Sequence, residues 1–377
     1  MKFNVNAKEF MKAIKTVTVI KPARNPNIIT NVVKISADGK VKLMYTNTIE
    51  TIIQEIENAE AEFPMSVYIP MENLVKLPFK DGMLDVEIHN GIAKFSCGST
   101  VINIRCLDIP EQEIVTAHGK FATVKQGEFV EALARTAPAI AKSDPREMLT
   151  QFCLDDGNIV ALDGYRMHVQ EVEVDYDDYN NKTMVIRGSA HKALKKLSDS
   201  KHWDSEIDIE NDEKYANFWG ENSMGKFLYT FRKLDGTFIS WQKVLPKDFA
   251  YGCNIPNTME FANFATAMNK TANENRVFFQ FGNKLAYISF IGEEMVQGET
   301  EIVSTLEKSV PICANALYIK DALNAAESNA WVYMNTSISP IVIKDDTGFT
   351  GLVLPIRAYN EDADNAMLAL KEAIGID

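Results

Sequence analysis

The run Gly220, Glu221, Asn222, Ser223, Met224, Gly225, Lys226, Phe227 comes within one residue of the glycine-rich loop that cradles nucleotide phosphates. In such a loop the residue after the lysine gives a hydroxyl to magnesium, and a helix N-terminus meets the phosphates. Phe227 has no hydroxyl, and the flanks alternate as strands do. Residues 220–227 therefore read as a hairpin turn, with a nucleotide-using enzyme as the rival reading. His89, His118, His168, His191 and His202 show no metal-ligand spacing and sit in no nucleophile motif. Asp155 and Asp156, and then Asp175, Asp177 and Asp178, bring carboxylates together at turns or strand ends, where solvated acids are the simpler expectation. Cys97, Cys106, Cys153, Cys253 and Cys313 are odd in number and form no C-x-x-C pair, so they read as buried, reduced thiols. No catalytic, cofactor or metal site is expected.

The cations are better organised. At about 100° per residue, Lys8, Lys12 and Lys15 cluster opposite Phe10, Ala13, Ile14 and Val17, and Lys192, Lys195 and Lys196 oppose Leu194 and Leu197. Each stripe is either a solvated helix face or a row of lysines facing phosphates, which would bind without sequence preference and weaken with salt. A net charge of -13 argues against a chain that coats nucleic acid with its whole surface, yet it allows a basic strip on an acidic body.

The elements that carry these lysines repeat. Phe10, Ala13, Ile14 and Val17 are echoed by Phe129, Ala132, Leu133 and Thr136, and again by Phe264, Ala267, Met268 and Thr271. The spacing i, i+3, i+4, i+7 marks one helical face, and each copy opens a similar succession of strands, so internal repetition is expected. Strands alternate on both sides of Asp38-Gly39 and Asp156-Gly157, a strong hairpin signal, and a third turn falls at Gly282-Asn283. A second short helix follows in each copy, with Leu74 and Leu77, then Leu194 and Leu197, then Ile319 and Leu323. Helix, strands, helix, strands, with hairpin-linked strands throughout, predicts an α+β chain of antiparallel sheets. With 377 residues and linkers at 109–120 and 246–257, three similar domains are expected, at 1–119, 120–248 and 249–377. The N-terminus turns polar before an apolar core could form, and no run approaches the ~18 apolar residues of a membrane span, so a cytoplasmic protein is expected.

Several motifs in this order carry a resemblance. They are Met1-Lys2-Phe3, the segment Ala161-Leu162-Asp163-Gly164-Tyr165-Arg166-Met167, Lys243-Val244-Leu245-Pro246, Ser339-Pro340, and Leu352-Val353-Leu354-Pro355-Ile356-Arg357. Together they resemble the bacterial sliding clamps, the β subunits of DNA polymerase III that give the replicative polymerase its processivity. The resemblance runs from Met1 to about Arg357. It implies the DNA clamp fold, with helices lining the inner face and sheets outside, closed by a homodimer into a ring around double-stranded DNA. It implies no catalysis, and partners that include the replicative polymerase, the clamp loader and repair factors. A clamp-like protein of a phage or mobile element with altered partners is the rival within the family. By position, Arg24 and Arg146 match basic residues that the family places near DNA, beside the two lysine stripes.

The resemblance also implies a groove for short linear peptides. Its walls would be Leu149, Leu162, Gly164, Tyr165, Arg166 and Met167, with Ile239, Lys243 and Val244. Ile338, Pro340, Leu352, Leu354, Pro355, Ile356 and Arg357 would complete it. Leu162 stands where the family usually has Thr and Ile239 where it often has Pro, which implies a shifted peptide preference; Asn269 and Lys270 fall where a family interface is apolar. Beyond Arg357 the chain continues from about residue 358 as an extension, read as an amphipathic helix with Asp364 as N-cap and Ala363, Met367, Leu370 and Ile374 along one side, docking near the groove.

Overall fold

The computed structural model describes the chain apart from residues 1, 23–26, 28, 62, 112, 256, 272–275, 282–283, 292–293, 302–309, 328, 358–360 and 374–377. The chain is α+β, and its helices are α1 (Ala7–Val17), α2 (Met71–Leu74), α3 (Gln126–Thr136), α4 (Ala190–Leu197), α5 (Thr258–Thr271), α6 (Ala316–Ala325) and α7 (Glu361–Ala373). Three times a strand runs straight into a helix of the same kind: Lys2–Asn6 into α1, Lys120–Lys125 into α3, and Tyr251–Ile255 toward α5. Asn6 caps α1, its Oδ1 accepting from the Lys8 and Glu9 amides and satisfying two donors that a helix start leaves open. None of the helices found is long and apolar enough to cross a membrane.

The chain divides into two compact units, residues 1–131 with 173–235, and 132–172 with 236–377. In the first, a nine-stranded antiparallel sheet runs in the order Val174–Tyr176, Lys120–Lys125, Glu206–Asn211, Tyr215–Asn222, Gly225–Arg232, Glu50–Glu60, Lys40–Thr46, Val32–Asp38, Met65–Pro70. Its seam between the first and second repeats is the pairing of Gly225–Arg232 with Glu50–Glu60, where Thr230 faces Thr51 and Leu228 faces Ile53. A four-stranded sheet of Lys2–Asn6, Met83–His89, Ile92–Cys97 and Thr100–Arg105 stands beside it. At α3 the approach is so close that a Cβ on Gly127 would lie 2.1 Å from the Trp203 ring, so only glycine fits there.

In the second unit the strands Phe152–Asp155, Asn158–Leu162, Arg166–Glu171, Phe349–Val353, Ile341–Asp345, Ala330–Met334 and Tyr251–Ile255 lie side by side in that order. Here the seam is Arg166–Glu171 against Phe349–Val353, with Met167 facing Leu352. A further sheet orders Glu294–Glu301, Lys284–Ile291, Arg276–Phe281 and Ile312–Asn315. Val277 and Phe279 join Ala262 and Ala265 of α5 in one core, while the alternate residues Phe278 and Gln280 are buried too. A strand buried on both sides needs cover on both faces, and the second cover is α7, which packs on Arg276–Phe281 and Lys284–Ile291.

Several expectations need correction. The tail helix packs mainly on that last sheet, not on the groove, because Phe278 and its neighbours offer it an apolar face. It starts at Glu361, so Asp364 is an exposed residue inside it and not its cap. Ala366 and Leu370 are its buried residues; Ile374, and the side chains of Ala363 and Met367, lie outside the described residues. The second helix of the first repeat stops at Leu74, short of Leu77, because Pro78 disfavours helical backbone at the residue before it. The third helical copy starts three residues earlier than its spacing suggested. Phe10, Phe129 and Phe261 each stand fourth in their helix, while Ala267 is exposed and Ala262 and Ala265 are buried. The turn at Gly282-Asn283 lies outside the described residues, between two paired strands.

One buried group makes the fold pH-sensitive. The His168 ring is fully buried, edge-on to Phe349 with centroids 5.2 Å apart, and its Nδ1–H donates to the Arg135 carbonyl at 3.0 Å. Nε2 meets no hydrogen-bond partner among the described residues. Burial pushes its pKa down to about 4. With the folded value below the unfolded one, the neutral ring contributes its full stability above pH ~6.5 and loses it as pH falls toward 4. Urea unfolding at pH 7 and pH 4.5 should show a decline smaller by about 2–3 kcal/mol in His168→Phe than in the parent. Equal declines would contradict the assignment.

Candidate functional site

The second unit holds an apolar cluster whose floor is Leu149, Leu162, Met167 and Leu352, all buried, with Trp241 and Val342 beside them. Around it stand large apolar side chains that remain in solvent: Tyr165 at 65%, Ile338 at 62%, and Ile239, Val244 and Leu354 with more than a third of their surface open. Phe238 and Leu245 pack on the cluster and hold Ile239, Lys243 and Val244 at its margin. Tyr333 and Val342 do the same for the hairpin carrying Ile338 and Pro340. Large apolar side chains left in solvent around one apolar cluster are unusual for a monomer, and they make this the candidate site.

The turn at residues 163–165 is fixed from several sides. Asp163 Oδ1 accepts from the amides of Tyr165 and Arg166, both at 3.0 Å. Gly164 adopts φ +88°, where a side chain would be strained, and a Cβ there would lie 3.0 Å from Arg146 Nη2. The Tyr165 carbonyl accepts from the Leu354 amide at 2.8 Å, and the Ile356 amide donates to the Cys313 carbonyl at 2.8 Å. Arg166 is a strut. Its Nε donates to Asp163 at 3.0 Å, its Nη1 to Asp321 on α6, and its guanidinium lies 4.3 Å from the Tyr318 ring centre. These interactions leave Tyr165 projecting while its backbone is held. Pro355 and Ile356 are half-buried and Arg357 is exposed where the chain leaves the cluster.

Asp155, read as a solvated turn acid, has a structural task. Its Oδ2 accepts from Trp241 Nε1 at 2.8 Å and from Gln242 Nε2 at 2.7 Å, which pins the short 3-10 turn Trp241–Val244 to the sheet. Sequence reasoning missed Asp155, Tyr318 and Asp321. Their partners lie far along the chain, and no local pattern announces them.

The lysine stripes belong to the first unit, where α1 and α4 pack against each other. Lys8, Lys12, Lys15, Lys192, Lys195 and Lys196 are all exposed. Lys12 is tethered, its Nζ donating to Ser223 Oγ at 3.1 Å and lying 3.9 Å from Asp199. Burial acts to raise the Asp199 pKa, but hydrogen bonds from Ser223 and His202 outweigh it and hold the carboxyl well below its usual range. The other five lysines have no ion pair among the described residues. Residues 220–227 form a hairpin, Tyr215–Asn222 with Gly225–Arg232, whose tip presents Ser223 to Lys12. Arg24 lies outside the described residues. Arg146 is in the second unit, paired with Asp144 at 3.0 Å and standing over Gly164. Among the described residues no group of three or more His, Cys, Asp or Glu side chains could hold a metal, and the five cysteines are free thiols.

No family model matches the chain. Curated proteins do. The beta sliding clamp of Staphylococcus epidermidis is 24% identical over 328 residues, covering 82% of this chain and 83% of that protein. That of Pseudomonas aeruginosa is 21% identical over 378 residues, covering 95% and 100%. Among solved structures, the DNA polymerase sliding clamp of Pseudomonas aeruginosa superposes with a TM-score of 0.82 at 18% identity, over 95% of this chain and 100% of that one. The sliding clamp of Bacillus subtilis gives 0.79 at 22% identity, again over 95% and 100%. With strand-to-helix repeats, sheet seams and full-length neighbours of one kind, the chain has the fold of the bacterial DNA polymerase III β subunits, the sliding clamps.

Proposed function

We propose that the chain is a non-catalytic DNA sliding clamp, a homodimeric ring of six similar domains, three per chain at 1–119, 120–248 and 249–377. The observation that carries this reading is the arrangement of sheet edges. At both seams a strand of one kind, Glu50–Glu60 or Arg166–Glu171, pairs with a strand of another kind, Gly225–Arg232 or Phe349–Val353. One of each kind is left at the end of its sheet: Glu294–Glu301 in the place of the former and Thr100–Arg105 in the place of the latter. A second copy placed head to tail would join them twice, and interfaces of that type close into a ring when the rotation allows. Closure would also remove two exposed edges per chain.

In this reading the ring stays on duplex DNA by topology, so its inner face needs only weak, sequence-blind attraction to phosphates. Lysines on α1 and α4 supply it, on a body whose net charge is -13. The apolar surface around Tyr165, Ile338 and Leu354 would take short linear motifs of the replicative polymerase, the clamp loader and repair factors, their aliphatic anchors lying over the Leu162 and Leu352 floor. An ATP-dependent loader would open the ring onto DNA.

Loaded on nicked circular DNA, the protein should be retained through gel filtration, and linearising the same DNA should release it; equal loss from both forms would refute the topological mechanism. Replacing Lys8, Lys12 and Lys15 together with Ala should weaken DNA binding and reduce the slope of log affinity against log salt by about 1 for each phosphate no longer neutralised. An unchanged slope would return the stripe to a solvated face. Asp155→Ala should release the 241–244 turn and weaken binding of a polymerase-derived peptide by about 5–10-fold, equivalent to about 1 kcal/mol, with little change in DNA retention. Undiminished peptide affinity in fluorescence anisotropy would show that the turn does not shape the groove.

A further inference from the structure

The turn that presents Tyr165 has a counterpart in the first unit. Asn47 Oδ1 accepts from the amides of Ile49 at 3.0 Å and Glu50 at 2.7 Å, as Asp163 does from Tyr165 and Arg166. Thr48 holds φ +75° where Gly164 holds +88°. The Ile49 carbonyl accepts from the Arg232 amide at 2.8 Å, as the Tyr165 carbonyl does from Leu354. The register agrees as well, since Thr51 faces Thr230 where Met167 faces Leu352. Ile49 thus stands for Tyr165, Thr46 for Leu162, Thr51 for Met167, Thr230 for Leu352 and Arg232 for Leu354. The segment 113–115, ahead of the strand Lys120–Lys125, stands for Ile239 to Val244 ahead of Tyr251–Ile255.

This second position is a cavity of about 310 Å³, and its lining differs from the groove in kind. Met44 and Ile49 keep it partly apolar, but three threonines replace the aliphatic floor. Two of their hydroxyls are engaged, Thr51 Oγ1 donating to Thr46 Oγ1 at 2.8 Å. The third is not: Thr230 is 3% exposed and its Oγ1 meets no hydrogen-bond partner among the described residues. A buried polar group without a partner is unusual enough to require an explanation. Two residues on, and therefore on the same face of the strand, is the exposed Arg232, which has no ion pair among the described residues. Both residues line the cavity from one face of the strand, and a hydroxyl together with a guanidinium can take the two oxygens of a carboxylate. Glu113 is the one acid among the lining residues and discourages a second carboxylate.

We propose that this cavity is a second peptide-binding pocket, taking an extended peptide with a single Asp or Glu on Thr230 and Arg232 and a neighbouring aliphatic side chain on Met44 and Ile49. The proposal rests on the clamp reading insofar as the groove around Tyr165 is itself a peptide site. The test is a methyl NMR titration of the full-length chain labelled at Met, Ile, Leu and Thr. The probes are acetyl-Ala-Val-Asp-Val-Ala-amide and its Asn counterpart. Saturable shifts of the Met44, Thr51 and Thr230 methyls are expected with the Asp peptide. Affinity should fall at least 10-fold for the Asn peptide and for Arg232→Gln, an exposed change that spares the fold, and also for Thr230→Val; Glu113→Gln should tighten it. Absence of saturable shifts at these methyls, or an affinity indifferent to both Asn and Arg232→Gln, overturns the pocket. A polymerase-derived peptide added in parallel reports on Leu162 and Leu352; loss of that response would strike the groove reading instead, so the two failures are distinguishable.

Discussion

Main-chain pairing between one repeat and the next is the interaction on which the rest of the structure depends. Each seam joins the last strand of one run to the last strand of another, so two half-sheets that would each expose an edge become one sheet without an interior edge. The hydrogen bonds of such a ladder are made by backbone and make no demand on side-chain identity. A fold held in this way tolerates wide change in its side chains. The seams also gather the two linings described above. Both the apolar cluster around Leu352 and the threonine-lined cavity lie at a seam, because the turn before Arg166 and the turn before Glu50 are each tied to the strand across it.

The same backbone device therefore serves two different chemistries. At one seam the inward positions are Leu162, Met167 and Leu352; at the other they are Thr46, Thr51 and Thr230. Repetition supplies equivalent geometry, and side-chain choice then sets the chemistry of each copy's lining. The lysines are placed by the same repetition. They gather on α1 and α4, helices from different repeats that pack together in one unit, so two lysine-rich segments far apart in the sequence are brought close.

What could be read from the sequence was local. Asp38-Gly39 and Asp156-Gly157 placed hairpins because only a tight turn with a left-handed residue suits those pairs between alternating strands. The lysine stripes followed from helical periodicity alone, and the motifs around Gly164 and Leu354 carried the resemblance before any of the packing there was visible. Pairings between distant segments were not legible. Asp155 reaches Trp241 across 86 positions, and Arg166 meets Tyr318 and Asp321 on a helix of the next repeat. Helix ends also escaped pattern reading. The third helical copy has two overlapping phenylalanine frames, at Phe261 and Phe264, and only the packing of Ala262 and Ala265 selects between them.

The tail helix α7 covers Phe278 and Gln280 from a position more than eighty residues further along the chain. A chain emerging from the ribosome exposes its segments in order and folds its early repeats first. The last sheet cannot bury both its faces until α7 has appeared, so that repeat stays incomplete well after its last strand has been made. The helix thereby acts as a clasp: a chain interrupted before it would present an apolar strand face to quality control, and a chain that includes it hides that face.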